Sequence, residues 1–362
     1  MAERISPAIP RAGHKMTVNA TRPLRVVPTP GPFRGRGHHY LDPGDSLAWV
    51  SSADQADCAI FPFDTFRTLE HRQELDLLRE AISSNHQDLG LRTLVLLYSD
   101  HQKPVRPILG EGAVVIRSSL LRSTADPFEF GCPALISEDD FEGFAPPSWS
   151  TVPRVGFVGQ SQPVAHHELL KDPSALNAAR IGHRPMRDEE QEPFPAPINI
   201  GLVLRHKVLE AVGNSQKIEA RLVTRDRYHG FYDPQQRQQM RQQYLDTMEW
   251  SQYGLCIRGH GNYSIRLFET MASGRIPVIL DSNMTMPAGD MIPWNDLGLW
   301  FSMDELGELA PRMRAFHDQL GPEGVIQLSK QVRQYWEEFL SLRGYRRYLA
   351  DHVRQLVGQA QP

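Results

Sequence analysis

Cysteine is scarce in this sequence: Cys58, Cys132 and Cys256 are its three, an odd number set far apart. Such spacing excludes a disulfide framework and fits no zinc site, and a reducing cytosol is the simplest setting for it. Long hydrophobic runs are lacking as well. The longest, LVLLY at 94–98 and IPVIL at 276–280, are far too short to span a bilayer. The opening MAERISPAIPRAGHKM has charges and prolines but no apolar core of signal-peptide length. A cytoplasmic protein is expected. Positive charge is not in excess either. A formal net charge of −4 gives no global basic field, so broad nucleic-acid binding has no electrostatic support, while a local basic pocket stays compatible with it.

What is present is an ordinary globular composition, 40% hydrophobic and 23% charged, so the chain is not disordered throughout. Its 362 residues exceed what one average core covers, which argues for two domains. Residues 1–38, rich in Pro, Gly and Arg, show neither a helical nor a strand period and are expected to form an extended arm. Over 39–150 the pattern alternates: DCAIFPF, LRTLVLLYSD and AVVIRSSLL read as strands, with FRTLEHRQELDLLREAI as an amphipathic helix after the first of them. The turn-rich EGFAPPSWSTVPR at 142–154 reads as a linker.

Beyond the linker the alternation restarts with RVGFVGQ, a strand ending in a glycine loop. A helix over 201–212, the strand IEARLVT, a glutamine-rich helix over 234–248 and the strand YGLCI follow. The second domain is set at 151–345 and a C-terminal tail at 346–362. LSKQVRQYWEEFL reads as a late helix. Strands separated by helices imply parallel sheets with crossover helices. The expected class is therefore α/β, with two Rossmann-like domains facing a cleft and ligands beyond the carboxyl ends of the strands.

The segment GHGNYSIRLFETMASGRIPVIL, 259–280, carries the chemistry. Gly259 and Gly261 allow close backbone approach, and Ser264 stands where an N-cap would, its hydroxyl meeting a first-turn amide. The free amides and the helix dipole favour an anion there. Arg266 has the wrong sign for the dipole alone and makes sense beside a diphosphate, whose oxygens match a guanidinium fork. Arg258, at a strand's carboxyl end, is a second phosphate candidate. Glu269 is not the capping-box residue, since that place falls on Leu267; a carboxylate beside an anion site suits a ribose diol. Gly274 reads as the helix terminator and Asp281 as a strand-end residue facing the cleft.

Three alternatives bear on this segment. An arginine and a glutamate three apart often pair on a solvated face. A GxG after a strand, with Asp281 about twenty residues on, is also close to a dinucleotide fingerprint and hence an oxidoreductase, but Ser264 replaces its third glycine. A nucleotide-sugar-binding scaffold without catalysis is the third. The histidine pairs His38/His39 and His166/His167 read as loop residues, because neighbours do not share a face and no further ligand lies at metal spacing. The late YWEEFLSLRGYRRYL, with Arg343, Arg346 and Arg347, suits either a helix packed across both domains or a peripheral contact with an anionic membrane.

Ser251 to Pro287 resembles the nucleotide-sugar segment of exostosin-type glycosyltransferases. The resemblance rests on Ser251, Tyr253, Leu255, Gly259, Ser264, Arg266, Glu269, Gly274, Ile276, Pro277, Val278, Pro287 and the later Trp294. It implies the GT-B fold and transfer of sugar from a nucleotide-diphosphate donor such as a UDP-sugar to a glycan or lipid-linked acceptor. It also implies inverting chemistry, no cofactor and no essential metal; no Asp-x-Asp metal motif occurs. Ile257 and Arg275 depart from its usual proline and cysteine. By the resemblance Arg205 matches a recurrent arginine that could reach the leaving diphosphate. An inverting transferase needs a base at the acceptor hydroxyl; Asp100 and His101, after the strand LVLLYS, are the first candidates, and Asp64 after AIFPF is the next.

Overall fold

The computed structural model describes residues 22–29, 39–64, 72–100, 104–124, 126–161, 200–225, 233–259 and 261–358. The apolar runs become the interiors of two sheets, and every strand pairing in both is parallel. The first contains β1 (Leu24–Pro28), β2 (Leu47–Trp49), β3 (Cys58–Asp64), β4 (Thr93–Leu97), β5 (Ala113–Arg117) and β6 (Glu129–Gly131), in the order β2-β1-β3-β4-β5-β6. Helix α1 (Arg72–Leu89) and the single turn α2 (Arg106–Leu109) are crossovers on this unit. Each residue of β4 and β5 is buried; a parallel strand covered on both faces needs an apolar interior, and the charged end of β5, Arg117, is paired with Glu129 at 2.8 Å.

The second sheet contains β7 (Arg154–Gln160), β8 (Glu219–Arg225), β9 (Tyr253–Cys256), β10 (Ile276–Leu280) and β11 (Leu299–Phe301), in the order β11-β10-β9-β7-β8. Its crossovers include α3 (Ile200–Gly213), α4 (Pro234–Trp250) and α5 (Ile265–Ala272). Asp233 starts α4 with a reciprocal capping box to Gln236, and Pro234 occupies the first turn, where its missing N–H costs nothing. The chain is thus α/β with two Rossmann-like units.

Two boundaries differ from the sequence expectation. Leu24–Pro28, assigned to the extended arm, is a strand hydrogen-bonded on both sides, to β2 and to β3. Its short alternation, with Leu24 and Val26 fully buried, lies between Pro23 and Pro28, which mask a strand of this length. The residues assigned to a C-terminal tail belong, as far as Gly358, to α7 (Leu342–Gly358). Helix α6 (Leu309–Tyr335) packs on the second unit and turns through Trp336–Leu340 into α7, which returns to the first. There Tyr345 lies edge-on to Tyr40, ring centres 4.8 Å apart, and its hydroxyl donates to the Gly131 carbonyl at 3.1 Å. Arg346 donates to the His39 carbonyl, which accounts for one of the late arginines by packing.

The units also meet along one seam. Leu121 bridges Met284, Asn262 N–H donates to Ser119 Oγ at 2.8 Å, and Arg122 pairs with Asp281 at 3.0 Å. Asp281, expected to face the cleft, therefore serves this seam; a carboxylate at a strand end is within reach of an arginine from the opposing unit.

Candidate functional site

In the second sheet the chain winds outward in opposite directions from β7 and β9, and such a switch point opens a crevice beyond the strands' carboxyl ends. Ser161, just past β7, and the turn that follows β9 lie at that crevice. Gly259 N–H donates to the Tyr263 carbonyl at 3.0 Å, closing the turn. Helix α3 starts directly against it: a Cβ on Gly201 would lie 2.2 Å from the Gly259 carbonyl oxygen and 2.7 Å from that of Arg258. Glycine at 201 is what lets the start of α3 approach this closely. The start of α5 follows the same turn, so two helix N-termini border it and favour negative charge.

One arginine lies against the turn, and a second sits at the end of β7, near enough for its charge to act on the first. Arg205, on the second turn of α3, donates to the Gln160 carbonyl at 3.3 Å, and its Nη2 is 3.5 Å from where a Gly259 Cβ would be. Arg266, on the first turn of α5, donates through Nη2 to the Val158 carbonyl and lies 4.2 Å over the Phe157 ring. Gly159 makes room for it, since a Cβ there would fall 2.6 Å from Nη2. Neither guanidinium meets a carboxylate among the described residues, and the Nε of each is buried without a partner. Burial first and the Arg266 charge second push Arg205 down to about 9. An arginine keeps its proton in a protein, so this is a buried cation that an anion would stabilise. Arg205 is half-buried, and Arg258 is buried at 2% exposure.

Ser264 does occupy the N-cap, with extended backbone at φ −128° and ψ 113°. Its hydroxyl makes no cap bond, however, and is buried without a partner. The expected bond to a first-turn amide is corrected accordingly: the extended backbone keeps the residue at the cap, but the hydroxyl is buried and makes no bond there. Gly274 ends the helix with φ of 65°, as a terminating glycine does.

Glu269 has partners that the sequence did not reveal. Its Oε1 accepts from Arg241 Nη1 at 3.0 Å and its Oε2 from the Tyr244 hydroxyl at 2.7 Å. Arg241 in turn donates to Asp140 Oδ2 through Nη2 at 2.6 Å and Nε at 2.9 Å. Arg241 and Tyr244 stand three apart on α4 and so share a helix face; that spacing was the available signal within a glutamine-rich helix that otherwise reads as polar surface.

From the first unit, Asp100 reaches the turn. Its Oδ1 lies where a Cβ on Gly261 would come within 2.4 Å of it. The structure thus places Asp100 against Gly261 and Arg205 against Gly259, with Arg266 near Arg205 at the end of β7. Asp64 ends β3, but its side chain is outside the described residues, as are His101, His38, His166 and His167. His39 meets Asp42 at 3.2 Å. Among the described residues no group of three or more His, Cys, Asp or Glu could hold a metal ion, and no helix is long and apolar enough to cross a membrane.

Residues 201–315 match the Exostosin GT47 domain. The chain is similar to a probable glucuronosyltransferase of Oryza sativa subsp. japonica, 35% identical over 66 residues that make up 18% of this chain and 16% of that protein. It is likewise similar to the probable beta-1,4-xylosyltransferase IRX10L of Arabidopsis thaliana, 37% identical over 83 residues, 23% of this chain and 19% of that one. The matched stretch thus spans less than a fifth of either relative's length. Among solved structures, a glycosyltransferase from Rickettsia africae ESF-5 is similar at 11% identity and a TM-score of 0.39, over 88% of this chain and 86% of that one. The matched residues 201–315 hold the glycine turn, Arg205, Arg266 and Glu269.

Proposed function

We propose that this chain is a metal-independent, inverting glycosyltransferase of GT-B type, moving a sugar from a nucleoside-diphosphate donor to a hydroxyl of a glycan or lipid-linked acceptor. The observation that carries the reading is the pair of partly buried guanidiniums, Arg205 against a glycine turn bordered by two helix starts and Arg266 close beside it, with no carboxylate paired to either among the described residues. A diphosphate supplies two adjacent anionic groups of the right geometry. The Ser264 hydroxyl adds a donor beside it, and Glu269 at 14% side-chain exposure accepts from the ribose hydroxyls.

In the reaction Asp100 takes the proton of the acceptor hydroxyl as its oxygen attacks the anomeric carbon. The bond from that carbon to the β-phosphate oxygen breaks on the opposite face, and the negative charge gathering on the diphosphate is met by Arg205, Arg266 and the turn amides. Preorganised charge of this kind replaces a metal ion. Asp100 comes from the first unit and the arginines from the second, so acceptor and donor are divided between the units. Its three free, buried cysteines support a reducing, cytoplasmic setting.

The reading is tested by thermal-shift and titration measurements across nucleoside mono- and diphosphates and their sugar conjugates. Ligands of the native state raise its stability by mass action. A diphosphate preferred over the monophosphate supports the site. Equal or absent responses to both would remove the diphosphate from it.

A further inference from the structure

Glu269 is held by a chain of contacts that begins outside its own domain. Asp140 lies in the short turn Glu138–Phe141, between the first sheet and the linker. Both its bonds come from one arginine: Arg241 Nη2 and Nε reach Asp140 Oδ2 at 2.6 and 2.9 Å, while Nη1 reaches Glu269 Oε1 at 3.0 Å. The guanidinium also lies 4.9 Å from the Tyr244 ring centre and 5.5 Å from that of Phe141, so aromatic rings limit its rotation. Tyr244 supports the other carboxylate oxygen, at 2.7 Å, and its hydroxyl, pressed upward by burial and by the Glu269 charge, stays a donor. Each Glu269 oxygen therefore has one support and one further lone pair. A planar fork spends its donors in fixed directions, so the orientation of the remaining lone pairs is set by Arg241.

We propose that Arg241 is a positioning residue for donor recognition, aiming the Glu269 carboxylate at the ribose hydroxyls of the nucleotide, with Asp140 fixing Arg241. This rests on the assignment of Glu269 to the ribose. Arg241 itself touches no reacting atom. Its removal leaves the diphosphate contacts of Arg205 and Arg266 in place, so the effect falls on ribose recognition and not on binding as a whole.

The test measures affinity for uridine diphosphate and for its 2′,3′-dideoxy counterpart in the wild-type protein, Arg241→Met, Arg241→Lys and Asp140→Asn, with circular dichroism as a check of folding. Hydrogen bonds to a charged group give the wild type a preference for the ribonucleotide of about tenfold or more. Arg241→Met is expected to cut that preference to about threefold or less while affinity for the dideoxy nucleotide stays close to wild type. Asp140→Asn and Arg241→Lys, which keep part of the support, should fall between. If the wild type prefers the ribonucleotide and Arg241→Met prefers it equally, the positioning role is overturned while Glu269 keeps its assignment. Equal losses for both nucleotides in a folded Arg241→Met protein would also overturn it, marking a general structural role. A wild type without any preference would remove Glu269 from the ribose and the role of Arg241 with it.

Discussion

Replacing Arg205 by methionine should separate stability from binding. The native protein buries this guanidinium beside Arg266, and it donates to the Gln160 carbonyl at 3.3 Å. Losing that charged hydrogen bond costs about 1.5–3 kcal/mol. Against it stands the desolvation of a buried charge, several kcal/mol per ion after relaxation, to which repulsion from Arg266 adds. Methionine fills the space of the stem and needs no partner. The two sides nearly cancel or favour the variant, so its melting temperature should be no lower than wild type by more than about 2 °C. Binding runs the other way. A diphosphate deprived of one guanidinium loses about 1.5–3 kcal/mol, roughly ten- to a hundredfold in affinity. Differential scanning calorimetry and titration with uridine diphosphate read both quantities. A variant that is clearly destabilised yet binds the nucleotide as wild type does would refute the argument, since Arg205 would then be a structural residue.

Asp100→Asn should lower the transfer rate by about a hundredfold or more with donor affinity nearly unchanged; a wild-type rate in single-turnover assays would exclude Asp100 as the base and turn attention to Asp64 and His101. Transfer should survive EDTA, and loss of activity restored by magnesium or manganese would contradict the assignment of leaving-group charge to arginines. His317 supplies a pH test. It is fully buried, stacked 4.2 Å from Trp149, accepts from the Tyr253 hydroxyl at 2.9 Å and donates to the Ser150 carbonyl at 2.7 Å. Burial holds its pKa below the ordinary value of 6.5, so below that pH the unfolded chain binds a proton that the native one resists. Its contribution is therefore present above about pH 6.5 and declines as pH falls toward the lowered native value. Denaturant titrations at pH 8 and pH 5.5 should show a smaller difference in His317→Gln than in wild type; an unchanged difference would place the titrating group elsewhere.

The parts of the fold that were legible in the sequence are those whose signal is local. The strands at 94–97, 113–116 and 276–280 are unbroken apolar runs, which burial on both faces of a parallel sheet demands. Leu24–Pro28 escaped notice because its five residues are bounded by prolines and gain their stability from two neighbouring strands. The glycine turn could be read because Gly259, Gly261 and Arg266 are close in sequence. Contacts made at a distance were not legible. Glu269 was recognised as unexplained by capping, yet its supports lie 25 and 28 residues away on another helix, and Asp140, beyond Arg241, is in the other unit. Asp281 shows the same limit: its strand-end position was readable, its arginine 159 residues away was not.

The account turns on where a nucleoside diphosphate binds. A crystal structure of the protein soaked with uridine diphosphate locates it directly. The account predicts the diphosphate between Arg205 and Arg266 over the Gly259–Gly261 backbone, with the ribose hydroxyls on Glu269. A nucleotide bound to the first unit, or one whose phosphates contact neither arginine, would contradict it.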